Sequence, residues 1–172
     1  MKKLLVLTAI AVCSSFIVKA QKDGITRFSL GPEIGVATGT FGNGWGFGIG
    51  ASIQAEHFYQ ENISGTAYFG FLDYFGKDIP GTNTKLQAAN ILPLRVGARY
   101  YIGDGFHVGA QLGVGFISGG DGSTTSFAYS PQIGYNFKTA KDQSIDASFK
   151  YDGYAASGGS LSALGIRVAY IF

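Results

Sequence analysis

Charged residues are scarce in this sequence. Asp, Glu, Lys and Arg make up 14% of the 172 residues, whereas ordinary globular domains contain roughly 25%. Long apolar runs are also missing, because no stretch after Gln21 approaches the ~20 consecutive apolar residues of a membrane-spanning helix. Glycine and aromatic residues are abundant instead, with 27 Gly and 15% Phe, Trp and Tyr. An apolar chain without a spanning helix can satisfy its backbone in lipid only as a closed β-barrel.

Cysteine and histidine are too few for most catalytic or metal-binding chemistry. The single cysteine is Cys13, and the two histidines, His57 and His107, belong to no metal-ligand spacing. The glycine-rich stretches 46–50 and 109–115 resemble phosphate-binding loops, but their glycines repeat with period two and no helix is expected after them. We therefore expect a protein that is not an enzyme and that has no cofactor and no metal site.

The first twenty residues have the pattern of a secretory signal peptide. Residues 1–3 carry positive charge, residues 4–12 are largely apolar, and residues 18–20 form a small-residue cleavage pattern. The apolar run is too short for a spanning helix. We expect residues 1–20 to be cleaved, leaving one domain over residues 21–172.

Cleavage changes both the thiol content and the charge of the chain. Cys13 leaves with the signal, so the mature chain has neither disulfides nor a thiolate. The alternative is a lipid-modified cysteine, but Val12 is bulky where such sites have a small residue. Three lysines also leave, so ten basic and eleven acidic residues remain. This near balance gives no indication of a nucleic-acid partner.

The last nine residues show the pattern of a strand that faces lipid. Side chains alternate between the two faces of a strand. One face is wholly apolar and the other is mostly small, with Arg167 as its only charge. A soluble strand would bury the apolar face and expose a charged one. Here the apolar face must lie outside, which makes lipid its solvent. The outward residues are Leu164, Ile166, Val168, Tyr170 and Phe172.

The same alternation predicts an all-β fold, an eight-stranded antiparallel up-and-down transmembrane β-barrel. Short polar turns occur at every second connection, which places both termini on the periplasmic side and the longer loops outside. The longer loops are predicted at 76–88, 118–126 and 153–160, and residues 39–44 form a turn. The predicted strands span residues 27–38, 45–59, 63–75, 92–102, 106–116, 127–138, 145–152 and 164–172.

Charged residues are predicted on the inward faces of these strands. An eight-stranded barrel is only just wide enough for its own side chains, and charges inside it are unfavourable unless they are paired. We therefore expect arginines 95, 99 and 167 to pair with Glu33, Glu56 and Asp146. The interior polar network is predicted to contain Glu33, Glu56, Arg95, Arg99, Asp146, Lys150 and Arg167.

Aromatic residues and prolines complete the pattern. Aromatic residues near strand ends on the outward face are typical of the girdles at membrane interfaces. Pro32, Pro93 and Pro131 fall in predicted strands, where proline removes a backbone donor, so bulges or frayed strand ends are expected there. The predicted girdle residues are Trp45, Phe47, Phe106, Tyr135, Phe137, Tyr170 and Phe172.

The mature chain resembles the small eight-stranded outer-membrane barrels of the OmpA and OmpX type, and more closely the short barrel proteins abundant in Bacteroidetes. The resemblance rests on the alternating strands, the Ala20/Gln21 junction and the terminal Val168-x-Tyr170-x-Phe172. It implies that Val168, Tyr170 and Phe172 form the signal read by the barrel assembly machinery. It also implies a Gram-negative outer-membrane location, contact with outer-membrane lipid and with periplasmic chaperones during biogenesis, and a monomer.

Two functions follow from this pattern, and the fold alone does not choose between them. A plugged barrel would serve a structural or surface-interaction role through its loops. The alternative is a narrow channel for ions or small solutes. A third and weaker interpretation is a soluble ligand-binding β-barrel, whose exterior would have too little charge for solubility.

Overall fold

The structure is a computed structural model that describes residues 24–82, 84–120, 122–140 and 143–172. The predicted signal peptide and Cys13 lie outside the described residues. The described chain forms eight strands, which make a single closed sheet, and one short helix. The strands are β1 (Thr26–Thr38), β2 (Trp45–Gln60), β3 (Ile63–Gly76), β4 (Ala89–Ile102), β5 (Phe106–Gly119), β6 (Gly122–Ala140), β7 (Gln143–Ala156) and β8 (Gly159–Ile171), and the helix is α1 (Phe41–Gly44).

Each strand pairs antiparallel with the next along the chain, and β1 pairs with β8 to close the barrel. The closing register places Glu33 opposite Arg167 and Ile34 opposite Ile166. Closure leaves no free sheet edge. The prediction of an all-β, eight-stranded, antiparallel up-and-down barrel is confirmed. No helix in the described ranges is long and apolar enough to cross a membrane.

The two faces of each strand divide as the sequence predicts. In β8, Arg167 is 2% exposed, whereas the adjacent Val168 is 45% exposed. The same division runs along β1, where Glu33 is buried and Ile34 is exposed. The outward face of the barrel is therefore largely apolar and uncovered, while the buried charged residues of the strands lie inside.

The barrel has a turn end and a loop end. The turn end carries the short connections at residues 61–62 and 103–105, together with the start of β1 and the end of β8. The loop end carries α1 and the connection 77–88, which is the longest. Gly103 (φ 73°) and Gly39 (φ 58°) provide the left-handed backbone that tight reversals need, one at each end.

Two predicted loops are wrong. Residues 118–126 and 153–160 mostly continue the paired hairpins β5–β6 and β7–β8, with Ile117 opposite Thr124 and Ala156 opposite Gly159. These stretches are rich in Gly, Ser and Thr, which favours a loop interpretation. However, Thr is also a good strand former, and a hairpin that already pairs can extend at low cost. β4 likewise starts at Ala89, earlier than predicted.

The expectation of bulges or frayed ends at the prolines is also wrong. Pro32, Pro93 and Pro131 lie inside strands whose register does not shift around them. Each proline is paired with only one neighbouring strand, and the pairing with the other neighbour is interrupted locally. Because proline lacks the N–H donor, a local gap in the pairing on one side is sufficient to accommodate it.

Candidate functional site: the barrel interior

Side chains fill the barrel, and small residues on the inward faces make room for large ones. The Tyr74 side chain projects from β3 into the barrel, where a Cβ atom on Gly35 would clash with its hydroxyl oxygen. A Cβ atom on Gly48 would come within 2.6 Å of the same ring. Glycine at these two positions is therefore what allows a tyrosine inside so narrow a barrel.

The charges inside the described barrel are balanced. Four acidic and four basic residues are each at most 4% exposed. A buried charge without a partner is strongly destabilising, so equal numbers are what a sealed interior requires. They form two clusters, one centred on Asp146 and the other on Glu33. The eight residues are Glu33, Glu56, Asp146, Asp152, Arg95, Arg99, Lys150 and Arg167.

The cluster nearer the turn end is centred on Asp146. Its carboxylate lies 2.6 Å from His107 Nε2 and 3.4 Å from Arg99 Nη1, and it accepts a hydrogen bond from Ser148. Arg99 also lies 3.6 Å from Glu56. These groups point inward from four strands, β2, β4, β5 and β7, so the cluster ties separate walls of the barrel together.

Glu56 receives further donors at the turn end. The Tyr101 hydroxyl donates to Glu56 Oε1 at 2.8 Å, and the Ser64 hydroxyl donates to the same oxygen at 2.6 Å. Asn136 Nδ2 donates to the Tyr101 oxygen at 3.2 Å. Tyr101 and Asn136 line a 420 Å³ depression that opens at the turn end. The polar network therefore extends from the middle of the barrel to this mouth.

The second cluster is centred on Glu33. Its carboxylate accepts hydrogen bonds from Lys150, from Ser52 at 2.5 Å and from Tyr68 at 2.9 Å. Arg167 Nε lies 3.5 Å from Glu33, and Arg167 Nη1 lies 3.6 Å from Asp146. Arg167 thus links the two clusters into one network.

Asp152 completes the network towards the loop end. It accepts a hydrogen bond from Arg95 at 2.5 Å, and Lys150 Nζ lies 3.1 Å from its other carboxylate oxygen. The Arg95 guanidinium also stacks on the Tyr68 ring, 4.3 Å from its centroid. Asp152 falls on the same strand face as Asp146 and Lys150, but the network predicted from the sequence does not include it. Asp152 follows Lys150 by two residues and so shares its strand face, and this spacing was the signal that could have identified it.

All seven predicted network residues lie in the interior, but the partners differ in one respect. Arg99 lies beside Glu56 and Asp146, and Arg167 beside Glu33 and Asp146. Arg95 was expected to contact one of those three acids and instead contacts Asp152. Strand alternation predicts which face a residue occupies, whereas the partner depends on the stagger between distant strands, which the sequence pattern does not contain.

The loop end of the interior is apolar, and sequence reasoning missed this feature. We call it the apolar cap. Phe41 of α1 is 1% exposed and inserts against Tyr74, with ring centroids 5.0 Å apart. The inward alternation of β3 and β7 continues into apolar residues here, which was the available signal. The buried members of the cap are Ala37, Phe41, Leu72, Tyr74, Ala89, Ile91, Ala128, Tyr154 and Ala163.

The connections at the loop end hold the cap in place. Lys77 Nζ donates to the Gly42 carbonyl at 2.5 Å, and Trp45 Nε1 donates to the Gln87 carbonyl at 3.0 Å. Trp45 was predicted on the outward face, and that prediction is wrong. A register shift between β2 and β3 near Trp45 and Gly48 allows the indole to pack on Phe41, with centroids 5.3 Å apart.

The other predicted girdle residues lie on the outward face, and the two histidines lie in different parts of the barrel. Phe47, Phe106, Tyr135, Phe137, Tyr170 and Phe172 are exposed, as is Val168. His57 Nδ1 lies 2.8 Å from Thr26 Oγ1 near the turn end, while His107 belongs to the Asp146 cluster. Within the described ranges, no group of three or more His, Cys, Asp or Glu side chains could hold a metal ion.

Comparison with solved structures shows that this fold is shared with small eight-stranded outer-membrane barrels. Ail, the attachment invasion locus protein of Yersinia pestis, matches 88% of this chain and 100% of its own, with 14% identity and a TM-score of 0.57. Neisserial surface protein A matches 87% and 98%, with 12% identity and a TM-score of 0.64.

A third neighbour is the outer-membrane protein OprG of Pseudomonas aeruginosa, which matches 90% of this chain and 99% of its own, with 10% identity and a TM-score of 0.54. At such identities the likeness shows the fold. Neither the protein-family models nor the curated proteins give a match to the sequence.

Proposed function

We propose that this chain is an exported, non-enzymatic outer-membrane barrel with a plugged interior, which serves a structural or surface-interaction role through its loop end. The location is supported by the apolar outward face and by outer-membrane barrels among the structures that share the fold. The loop end faces the outside in this arrangement, because barrels of this class carry short turns on the periplasmic side.

The observation that carries the proposal is that the interior is filled at successive levels. The paired charges fill the barrel from Glu56 to Asp152, and the apolar cap fills the loop end above them. An ion that entered from the turn end would have to break interior ion pairs and then cross a layer of buried apolar side chains. A narrow channel is therefore the less favoured function.

Biogenesis follows from the same proposal. Residues 1–20 act as the export signal, and periplasmic chaperones deliver a monomer to the barrel assembly machinery. Val168, Tyr170 and Phe172 are uncovered on the outward face of β8, where another protein can read them before the barrel closes. The chain would then belong with the short barrel proteins of Bacteroidetes. Reduced assembly of Phe172→Ala in cells, beside unchanged assembly of Ile25→Ala, would support this role.

Planar-bilayer conductance of the refolded mature protein tests the plug. We expect no steady openings in the wild type, in Arg95→Ala or in Arg99→Ala, because the apolar cap remains in each of them. Steady openings in the wild type that either substitution alters would make the interior charges a pore lining and overturn the proposal. A double variant, Phe41→Ala with Arg95→Ala, shows whether both barriers must be removed before ions pass.

A further inference from the structure

A depression of about 330 Å³ opens at the loop end beside the apolar cap. Phe41 and Ala89 form its buried base, and Trp45, Ile117 and Leu161 form half-buried walls. Residues 118, 119 and 122–124 of the β5–β6 hairpin complete its rim. Its lining residues in the described part of the chain carry no charge. We call this depression the cap pocket.

The cap pocket has the size and chemistry of a small-molecule site. Its volume lies at the lower end of the range for ligand pockets, roughly 300–1,000 Å³, and an apolar cavity of about 150 Å³ is enough to bind benzene. It is too small for a folded segment of a partner protein. The side chains of its base and walls are apolar, so the pocket favours a ligand that buries apolar surface against them.

The walls of the cap pocket are fixed rather than collapsed. The Trp45 indole is held by its bond to the Gln87 carbonyl and by packing on Phe41, which itself packs on Tyr74. These contacts hold the two aromatic rings at the edge of the pocket without drawing Ile117 and Leu161 into full burial. A preorganised apolar pocket saves the cost of ordering its walls on binding.

The cap pocket does not continue into the barrel interior. Beneath Phe41 lie the buried side chains of Leu72, Tyr74 and Tyr154, followed by the Arg95–Asp152 pair. A molecule that entered from the loop end would therefore be retained at the mouth and would not pass into the polar interior. The geometry suits binding at the outer surface rather than transport through the barrel.

We propose that the cap pocket binds a small uncharged hydrophobic molecule of about one or two aromatic rings, with Phe41, Trp45 and Leu161 as its main contacts. The inference deepens the proposed function by naming a ligand class at the end that the barrel displays outside. It rests on the proposed function only for which end of the barrel faces outside. The two proposals can fail separately, because ligand binding is measured by fluorescence and plugging by conductance.

Trp45 is the only tryptophan of the chain, so its fluorescence reports on this pocket. The experiment titrates bromobenzene, a short-range heavy-atom quencher, into the refolded full-length mature protein in lipid nanodiscs. Leu161→Gln makes one wall polar, and Ala89→Phe fills the base. Ile25→Gln, at an exposed position near the turn end, is the matched control for an apolar-to-amide change. Quencher dissolved in the lipid reaches all four proteins equally.

We expect saturable quenching in the wild type and in Ile25→Gln. In Leu161→Gln and Ala89→Phe the apparent affinity should fall about tenfold, the scale of one side-chain change in an apolar pocket. Gel mobility of the unheated protein verifies that each variant is folded, and Leu161→Gln alone decides the matter if Ala89→Phe does not fold. Quenching that rises linearly and equally in wild type and Leu161→Gln would overturn the proposal. An equal loss in Ile25→Gln would also overturn it.

Discussion

The two halves of the barrel interior are filled by different means. Towards the turn end, side chains of opposite charge hold the walls together, with Asp146 shared by Arg99, Arg167 and His107. Towards the loop end, a short helix places Phe41 on apolar neighbours. Ion pairs and hydrogen bonds are directional, so the first region specifies the register of the strands, whereas the second excludes water by packing alone.

The comparison shows why both regions are needed in one barrel. A charged network that reached the loop end would be open to water, where ion pairs contribute little. The apolar cap keeps water from the Arg95–Asp152 pair, and the network in turn gives β3 and β7 the positions from which Tyr74 and Tyr154 project. Each region therefore depends on the other, and substitutions can separate their contributions.

The largest effect is expected for Asp146→Ala. This change leaves the charges of Arg99 and Arg167 without a shared carboxylate, and breaking one member of a buried ionic cluster costs about 3–5 kcal/mol of unfolding free energy. The measurement is denaturant unfolding in phospholipid vesicles. Ser148→Ala, which removes only one donor to the same carboxylate, is the control and should cost about 2 kcal/mol, the scale of hydrogen bonds to charged groups. Equal losses in both variants would contradict a charge-based role for Asp146.

Removal of the cap anchor should come next. Phe41→Ala deletes a ring that is 1% exposed, and Phe→Ala in a core typically costs about 3–5 kcal/mol. The loss should fall at the lower end of that range, because the cap borders solvent and can partly collapse. Asn43→Ala, at an exposed position of the same helix, should be close to neutral. A Phe41→Ala variant as stable as the wild type would show that the cap contributes no packing energy.

The sequence predicts the polar half of this interior better than the apolar half. Alternation with period two identifies Arg95, Arg99 and Arg167 as inward residues, because the outward positions beside them are apolar. In the cap the inward residues are apolar and outward neighbours such as Asp73 and Asn90 are polar, so the rule that polar residues face inward fails near Tyr74 and Ile91. Trp45 is misassigned for a different reason, because alternation assumes a regular register and the register shifts at that residue.

Hydroxyl groups of two interior tyrosines offer a smaller and sharper test. Tyr68 donates to Glu33 and accepts from Lys150, so Tyr68→Phe should cost about 2 kcal/mol, the scale of hydrogen bonds to charged groups. The buried Tyr74 hydroxyl has no hydrogen-bond partner among the described residues. Tyr74→Phe should therefore be neutral or slightly stabilising in the same unfolding assay. A larger loss for Tyr74→Phe than for Tyr68→Phe would reverse the assignment of polar and apolar halves.

The smallest effect is expected for the ion pair outside the barrel. Lys85 Nζ lies 3.8 Å from Asp78, and both side chains are more than 70% exposed. An exposed pair of this kind contributes about 0–1 kcal/mol and is screened by salt. Lys85→Ala should therefore shift the denaturation midpoint by less than the error of the measurement at 0.5 M salt, a concentration at which the Debye length is only about 4 Å.

Asp146→Ala should keep most of its effect at the same salt concentration, because the interior pairs are shielded from ions by lipid and protein. A loss of the Asp146→Ala effect in salt would mean that electrolyte reaches the network, and the description of the cap as a seal would then be wrong.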